Sequence, residues 1–391
     1  MLSGYRVCRL VAMKSANKSA NVSILTAFPE MFDCILSTSI SGRAVSAELI
    51  SVKVINLREF GRGNYRQLDD YAFGSGGMVF AAPQLKDALD FAAKDSAKPF
   101  VVYPSPQGVS VTQEVIETLA HQEHVVIICG HYEGIDERFT QKYVDLEVSI
   151  GDCVLTGGEI PAMMLVDAMS RLVPGVVGKS RAVIEDSFYR GLLDNPNYTR
   201  PAEWEGEKVP EVLLSGNAGE ISRWRRKSAA ARTISRRPDL LSRAAVREYL
   251  TDGARAAFIL SEGRADFSGV LELCKAYDLG RPYVIAHTHE LRDRAREIFP
   301  AAKILASPRE LTREDVLTVK VFAGAVRNSL HSLEIRRRCL EHDGAILFMF
   351  AEEDGGLEGL DGISGYLYEQ SLDLPLNVKA ALALDKFIGK R

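Results

Sequence analysis

Two segments combine residue types and spacing that could do chemistry. Gly130-His131-Tyr132-Glu133-Gly134-Ile135-Asp136-Glu137-Arg138 directly follows an apolar run. Glycines there let the backbone approach a ligand or turn through positive φ, Tyr132 can stack on a nucleobase, and Glu133 can accept from a ribose or an amine. The same residues also suit a tight turn leading into an acidic helix start. Ile150-Gly151-Asp152-Cys153-Val154-Leu155-Thr156-Gly157-Gly158-Glu159 places two glycine-bearing bends around a short apolar stretch. Such bends expose N–H and C=O groups able to read an adenine edge, but they equally fit a ligand-free turn. Neither segment is the dinucleotide fingerprint or the lysine-bearing P-loop, which disfavours a dehydrogenase or a P-loop nucleotidase.

Arg171 lies four residues after Asp167 and, taken alone, reads as half of an i,i+4 ion pair. Asp186, in Ile184-Glu185-Asp186-Ser187-Phe188, reads as a helix cap or a solvated loop acid. His287-Thr288-His289 lacks further ligands at metal spacing and reads as a loop after a strand. Between Arg223 and Arg237 there are seven basic residues and no acid, with Trp224 among them. A solvated helix face would normally intersperse acids, so this run favours an anionic partner.

These residues need elements to hold them. Phe100-Val101-Val102-Tyr103, Val125 to Cys129 and Val148 to Ile150 are apolar runs ending in small-residue turns, the first turn being Pro104 to Gly108. They predict strands buried on both faces of a parallel sheet, separated by helices at Leu85 to Ala93 and Thr112 to His121. Ligands of such sheets gather beyond the carboxyl ends of the strands. Pro161 to Val173 predicts a helix apolar on nearly all sides, for a core or a subunit interface. Prolines and glycines from Asn195 to Asn217 predict an irregular linker, and Glu220 to Leu250 a basic helical segment. Further strands are expected at Ala257 to Leu260, Tyr283 to Ala286 and Ile346 to Phe350, with helices at Asp315 to Leu333 and Leu376 to Ile388. The fold class is therefore α/β, then a small helical unit, then α/β again.

The 391 residues are 46% apolar and 26% charged, which excludes a disordered chain. The 48 basic residues against 52 acidic ones leave a net charge of −4, so any nucleic-acid contact must be a local patch. No apolar run is long enough to span a membrane. The six scattered cysteines form no CxxC pair, which predicts neither a zinc site nor a disulfide framework and suits the cytoplasm. Residues 1–21, basic and acid-free, are expected to be an extension outside the fold, with an organelle transit peptide as the other reading.

Several longer strings resemble the tRNA (guanine-N1)-methyltransferase family, TrmD. They are Phe28 to Phe32 with Ser41 to Val45, SPQG at 105–108, GHYEGIDER at 130–138, IGDCVLTGGEIPAM at 150–163, EDSF at 185–188, LLDNPNYTRP at 192–201 and VLLSGNAGEISRWR at 212–225. The resemblance spans residues 22 to 245. It implies a SPOUT fold with a deep trefoil knot, an obligate homodimer, and methyl transfer from S-adenosylmethionine to guanine N1 at position 37 of tRNA. By match to the family's motifs, Tyr103, Pro104 and Ser105 form the first cofactor-binding segment. Gly130, Tyr132, Glu133 and Gly134 form the second. Ile150, Gly151, Asp152, Cys153, Val154, Leu155, Gly157, Gly158 and Pro161 form the third. Asp186 matches the general base that deprotonates guanine N1, and Arg171 the arginine that stabilises charge on O6. Arg223, Arg225, Arg226 and Lys227 are the expected RNA-binding residues. Family members depend on magnesium, for which Glu133 is the candidate neighbour, although the sequence shows no metal-ligand cluster.

One segment departs from the family. Asp69-Asp70-Tyr71-Ala72-Phe73-Gly74-Ser75-Gly76-Gly77 has Ala in place of Pro and is one residue shorter, which alters the loop framing the cofactor. The implied domains are 1–21 (extension), 22–183 (knotted cofactor domain), 184–250 (linker and helical tRNA-binding domain) and 251–391. The last is faintly similar to another SPOUT-type RNA methyltransferase, with Glu352, Glu353 and Asp354 where small residues are expected. It is read as an accessory domain that has lost the cofactor; a second active methyltransferase is the competing idea. The alternative for the whole chain is a non-catalytic RNA-binding or regulatory protein on a SPOUT scaffold.

Overall fold

β-Branched and aliphatic runs with no polar alternation become strands sandwiched between helices, because both of their faces must leave water. β1 (Ala20–Thr26), β2 (Ile50–Asn56), β3 (Asp69–Tyr71), β4 (Met78–Phe80), β5 (Phe100–Ser110), β6 (His124–Ile128) and β7 (Leu146–Ser149) are the strands of the first part of the chain. Five of them form a parallel sheet in the order β2-β1-β6-β5-β7, while β3 and β4 make a separate antiparallel ribbon. Every residue of β6 is buried. Val126 and Ile128 enter the core on one face with Leu85 and Phe139; Val125 and Ile127 enter the other with Ile24 and Leu165.

The computed structural model describes residues 20–391 except 75, 95–97, 178–185, 190, 251, 262–265, 312–314, 325–328, 369–373 and 390–391. Two compact units, here called front and rear, divide between Ile184 and Glu185. Among the described residues no helix is long and apolar enough to cross a membrane. The five described cysteines are all unpaired.

The rear unit opens with a short ribbon, β8 (Glu203–Trp204) and β9 (Glu207–Lys208). Its main sheet holds β10 (Ala254–Ile259), β11 (Tyr283–Ile285), β12 (Lys303–Leu305), β13 (Val316–Gly324), β14 (Ala345–Ala351) and β15 (Ile363–Tyr368). The order is β12-β11-β10-β14-β13-β15, again parallel. Without β12, this is the strand permutation of the front sheet. Register sharpens the correspondence. Leu25 pairs with Ile128 and Ile259 with Ala351, and the next residue donates back in each case: Cys129 N–H to Leu25 O (2.8 Å), Glu352 N–H to Ile259 O (3.0 Å). Glu352 and Glu353 therefore stand in the rear sheet where Cys129 and Gly130 stand in the front one.

The turn expected at Pro104 to Gly108 interrupts the β5 ladder: Pro104 and Val109 both stand opposite Val148, so residues 105–108 loop out before pairing resumes towards Ser110. Two sequence expectations need correction. The helix expected at Asp315 to Leu333 is replaced over Val316 to Gly324 by a strand between β14 and β15. Its β-branched residues Val316, Thr318, Val319 and Val321 suit a pleated, two-sided surface better than a helix. The basic helix does not reach Leu250. It runs Ala218–Arg236, because Pro238 pushes Arg237 out of helical geometry (φ −142°, ψ 60°).

The helical segment shares its core with the terminal sheet: Ala230, Leu241, Ala244 and Val246 pack in one cluster with Phe258, Phe348 and Phe387. Residues 1–19 lie outside the described residues.

Candidate active site

The first candidate segment is the buried part of β5 itself, Tyr103 to Ser105. The second leaves β6 and the third leaves β7. Since β6, β5 and β7 are adjacent, one parallel sheet brings all three segments to the same edge. There they hold each other. Gly158 N–H donates to Gly130 O (3.0 Å), His131 and Gly157 form an antiparallel bridge, and Glu133 N–H donates to Met78 O (3.1 Å) on β4. Gly130 is required by packing: a Cβ there would lie 2.9 Å from the Tyr103 ring. Gly151 differs, with φ +142° and open space around it.

Burial sorts the expected cofactor residues. Tyr103, Pro104, Ser105, Gly130, Gly158 and Pro161 are buried, and Gly134, Ile150, Gly151 and Gly157 are half-buried. Tyr132, Glu133, Asp152, Cys153, Val154 and Leu155 are exposed. Tyr132 has φ +60°, rare for a bulky side chain, and presents a 67% exposed ring. Together with His131, Phe28, Arg58 and Arg66 it lines a cavity of about 180 Å³.

Helix α1 (Glu159–Ser170) begins in this site. Glu159, 2% exposed, accepts from Thr26 Oγ1 (2.7 Å) at the end of β1 and lies 2.8 and 2.9 Å from His131 Nε2. The Thr26 hydroxyl in turn accepts from Phe28 N–H (3.0 Å). This buried bridge ties the second and third segments to β1. Sequence reasoning missed it, because an acid opening a helix looks like a dipole-matching surface residue. Glu159→Ala strands a half-buried imidazole and a buried hydroxyl, so stability should fall by roughly 1 to 3 kcal/mol in chemical denaturation, with cofactor binding weakened as well.

Burial also sets the ionisation of the sheet edge. The Cys129 thiol is held well above its ordinary value by burial, reinforced by the charge of Glu159. The Tyr103 phenol is pushed up to about 12 from an ordinary 10.0, first by burial and then by the Glu147 charge. Its folded-state pKa is raised, so its contribution is complete below about pH 10 and lost as pH rises towards 12. Tyr103→Phe should flatten that alkaline fall in stability; an unchanged pH profile would show that another group controls it.

Arg171 caps the end of α1, where its N–H donates to Asp167 O (3.2 Å). The Asp167 carboxylate accepts from Ser41 Oγ (3.0 Å). Asp186 is exposed and belongs to the rear unit, whose first turns are closed by Phe188 N–H to Leu192 O (2.7 Å) and Asp194 N–H to Ser187 Oγ (2.9 Å). His287 bonds Ala306 O and His289 pairs with Asp293, so that pair serves its loop and helix. Among the described residues no group of three His, Cys, Asp or Glu side chains is placed to hold a metal ion.

The expected RNA-binding residues on α2 (Ala218–Arg236) divide. Arg223 pairs with Asp252 (3.6 Å) and Lys227 with Asp343 (2.5 Å); Arg226 is half-buried, with an Nε that has no hydrogen-bond partner; Arg225 is exposed.

Comparison with known proteins gives this arrangement a context. The family profile described as tRNA (Guanine-1)-methyltransferase TrmD matches residues 20–243, and thus ends before the terminal sheet. The chain is 50% identical over 222 residues to a tRNA (guanine-N(1)-)-methyltransferase of Bacillus pumilus, covering 56% of this chain and 91% of the relative. It is 51% identical over 225 residues to the protein of that name from Moorella thermoacetica, covering 57% and 90%. Against the Chlamydia pneumoniae protein of that name, identity is 48% over 219 residues, covering 56% and 60%. With the matched region taking in the whole front sheet, its three joined segments and helix α2, the chain belongs to the tRNA (guanine-1)-methyltransferase family TrmD.

Proposed function

We propose that the protein transfers a methyl group from S-adenosylmethionine to N1 of the guanosine at position 37 of tRNA. The observation that carries this reading is the meeting of the three segments at one edge of a parallel sheet, in the family's own order. The residues suit an adenosyl group. Bent backbone from Ile150 to Leu155 offers N–H and C=O groups to an adenine edge beside open space at Gly151, and the Tyr103 ring packs against Gly130 and Gly134 of the second segment. Bound there, the sulfonium supplies an electrophilic methyl group.

The chain's own residues do the rest. Guanine N1 carries a proton and is a poor nucleophile until it is removed. Asp186 takes that proton, and Arg171 faces the negative charge that then gathers on O6. Reaching N1 requires the base to be out of its stack.

The finer architecture belongs to the same proposal. The front unit is a SPOUT domain with a trefoil knot. It works as a homodimer, which accounts for the exposed apolar side chains Val154, Leu155, Ile160 and Met164 at the site and along α1. Residues 184–250 bind tRNA, and 251–391 are a SPOUT-like accessory domain. Its permuted sheet supports that ancestry, while Glu352 and Glu353 at the positions of Cys129 and Gly130 speak against a second adenosyl pocket. The Glu352 carboxylate accepts from Ser261 N–H (3.0 Å) and so lies across the sheet edge.

The test uses tRNA transcripts with guanosine or adenosine at position 37 and methyl-labelled S-adenosylmethionine. Label should enter only the guanosine transcript, as 1-methylguanosine. Tight cofactor binding with no transfer to any tRNA would favour the non-catalytic reading instead.

A further inference from the structure

We infer that a groove beside α2 in the rear unit, rather than the whole basic run, receives the tRNA and seats an unstacked nucleotide on Tyr198. This rests on the tRNA reading above and says which surface of the rear unit does the binding.

Helix geometry separates the charges. At 100° per residue, Arg223 and Lys227 share one face, and Arg225 points about 200° away from Arg223. The first face is occupied by the ion pairs to Asp252 and Asp343, both contributed by the terminal part of the chain. The opposite face, with Ile221 and Arg225, lines a groove of about 710 Å³ together with Asn195, Asn197, Tyr198 and Arg200. No acid lines this groove. Among the described residues neither Arg200 nor Arg225 forms an ion pair. Asp194, the acid of that segment, accepts from Asn195 N–H (2.7 Å) and the Asn197 amide (3.3 Å).

The groove wall suits a nucleotide. Tyr198 is 50% exposed, and its ring is braced by Trp224 at a centroid distance of 6.2 Å, which leaves area for a base to stack. The Asn195 amide donates to Pro196 O (3.1 Å), which leaves its Oδ1 to accept from a base edge, and Asn197 keeps one N–H beyond its bond to Asp194. Two guanidiniums with no competing carboxylate offer phosphate contacts. A volume of this size falls within the range of small-ligand pockets.

The experiment measures affinity of the full chain for a tRNA transcript carrying guanosine 37 across a salt series, alongside methylation of the same transcript. Arg200→Ala and Arg225→Ala should each weaken binding and lower the salt slope by about one, as expected for a lost phosphate contact. Tyr198→Ala should weaken binding by about tenfold at unchanged slope, and Tyr198→Phe, which keeps the ring, should restore it. Arg223→Ala and Lys227→Ala should lower the slope less than the groove variants do. A wild type that methylates tRNA, with groove variants that bind as it does, overturns the groove and leaves the activity standing. A larger slope loss at Arg223 and Lys227 than at Arg200 and Arg225 overturns it too. A wild type that neither binds nor methylates any tRNA removes the functional reading and the groove together.

Discussion

Asp186→Ala should lower methyl transfer to tRNA by about 10²- to 10⁴-fold, the usual contribution of a positioned general base. S-adenosylmethionine affinity should be unchanged, because the proposed role of Asp186 is towards the guanine proton and it belongs to none of the three cofactor segments. The split between the two readouts is the informative part. A variant that merely unfolded would lose both. Asp186→Asn keeps the shape and removes the basicity, so it should be as slow as the alanine variant in single turnover at saturating tRNA and cofactor. An undiminished rate would take Asp186 out of the mechanism. In the proposed mechanism Arg171 faces the other half of the same event, so Arg171→Ala should also be slow, since the charge on O6 develops only after the proton leaves.

The second large effect concerns stability. Arg336 lies on α3 (Ser332–Glu341) and is 1% exposed. Its guanidinium donates to the carbonyls of Leu241 (2.6 Å), Lys386 (2.8 Å) and Gly389 (2.7 Å), and also to Ala244. One side chain thus ties the turns after α2 to the end of the last helix, α4 (Leu376–Phe387). Leucine fills much of the volume but leaves those carbonyls buried and unmet. Arg336→Leu should cost about 3 to 5 kcal/mol, in the range seen when buried polar networks are broken. Both tryptophans of the chain, Trp204 and Trp224, lie in the rear unit, so their fluorescence reports its unfolding in urea. Arg336→Lys keeps the charge with fewer, differently arranged donors and should fall between the two. A urea midpoint unchanged by Arg336→Leu would mean that water satisfies the carbonyls and that the tie is dispensable.

The family profile ends at residue 243, but α2 lies within it and shares a core with the terminal sheet beyond it. Asp252 and Asp343, in the part of the chain beyond that profile, pair with Arg223 and Lys227 of α2. The pairs are partly exposed and contribute little stability individually. Their consequence is electrostatic: they neutralise one face of a basic helix and, among the described residues, leave Arg225 on the other without an ion pair.

Residue types and their order were enough for the α/β class, the strands at β6 and β14, the final helix and the family membership of the front half. Uninterrupted apolar runs can only be buried strands or helices, and the long strings around residues 130 and 150 are too specific to arise from turn chemistry. They were not enough for β13, whose Val316 to Gly324 stretch reads either way until a sheet position selects the extended form. Nor could they show that β5 pairs again after the excursion at 105–108, since that pairing depends on the neighbour opposite. It took the folded chain to bring Glu159 beneath His131, to bury Arg336 among four carbonyls and to set Arg225 apart from Arg223. In each case the deciding quantity was burial or facing, which depends on what lies across the fold from a residue and not on what lies beside it in the chain.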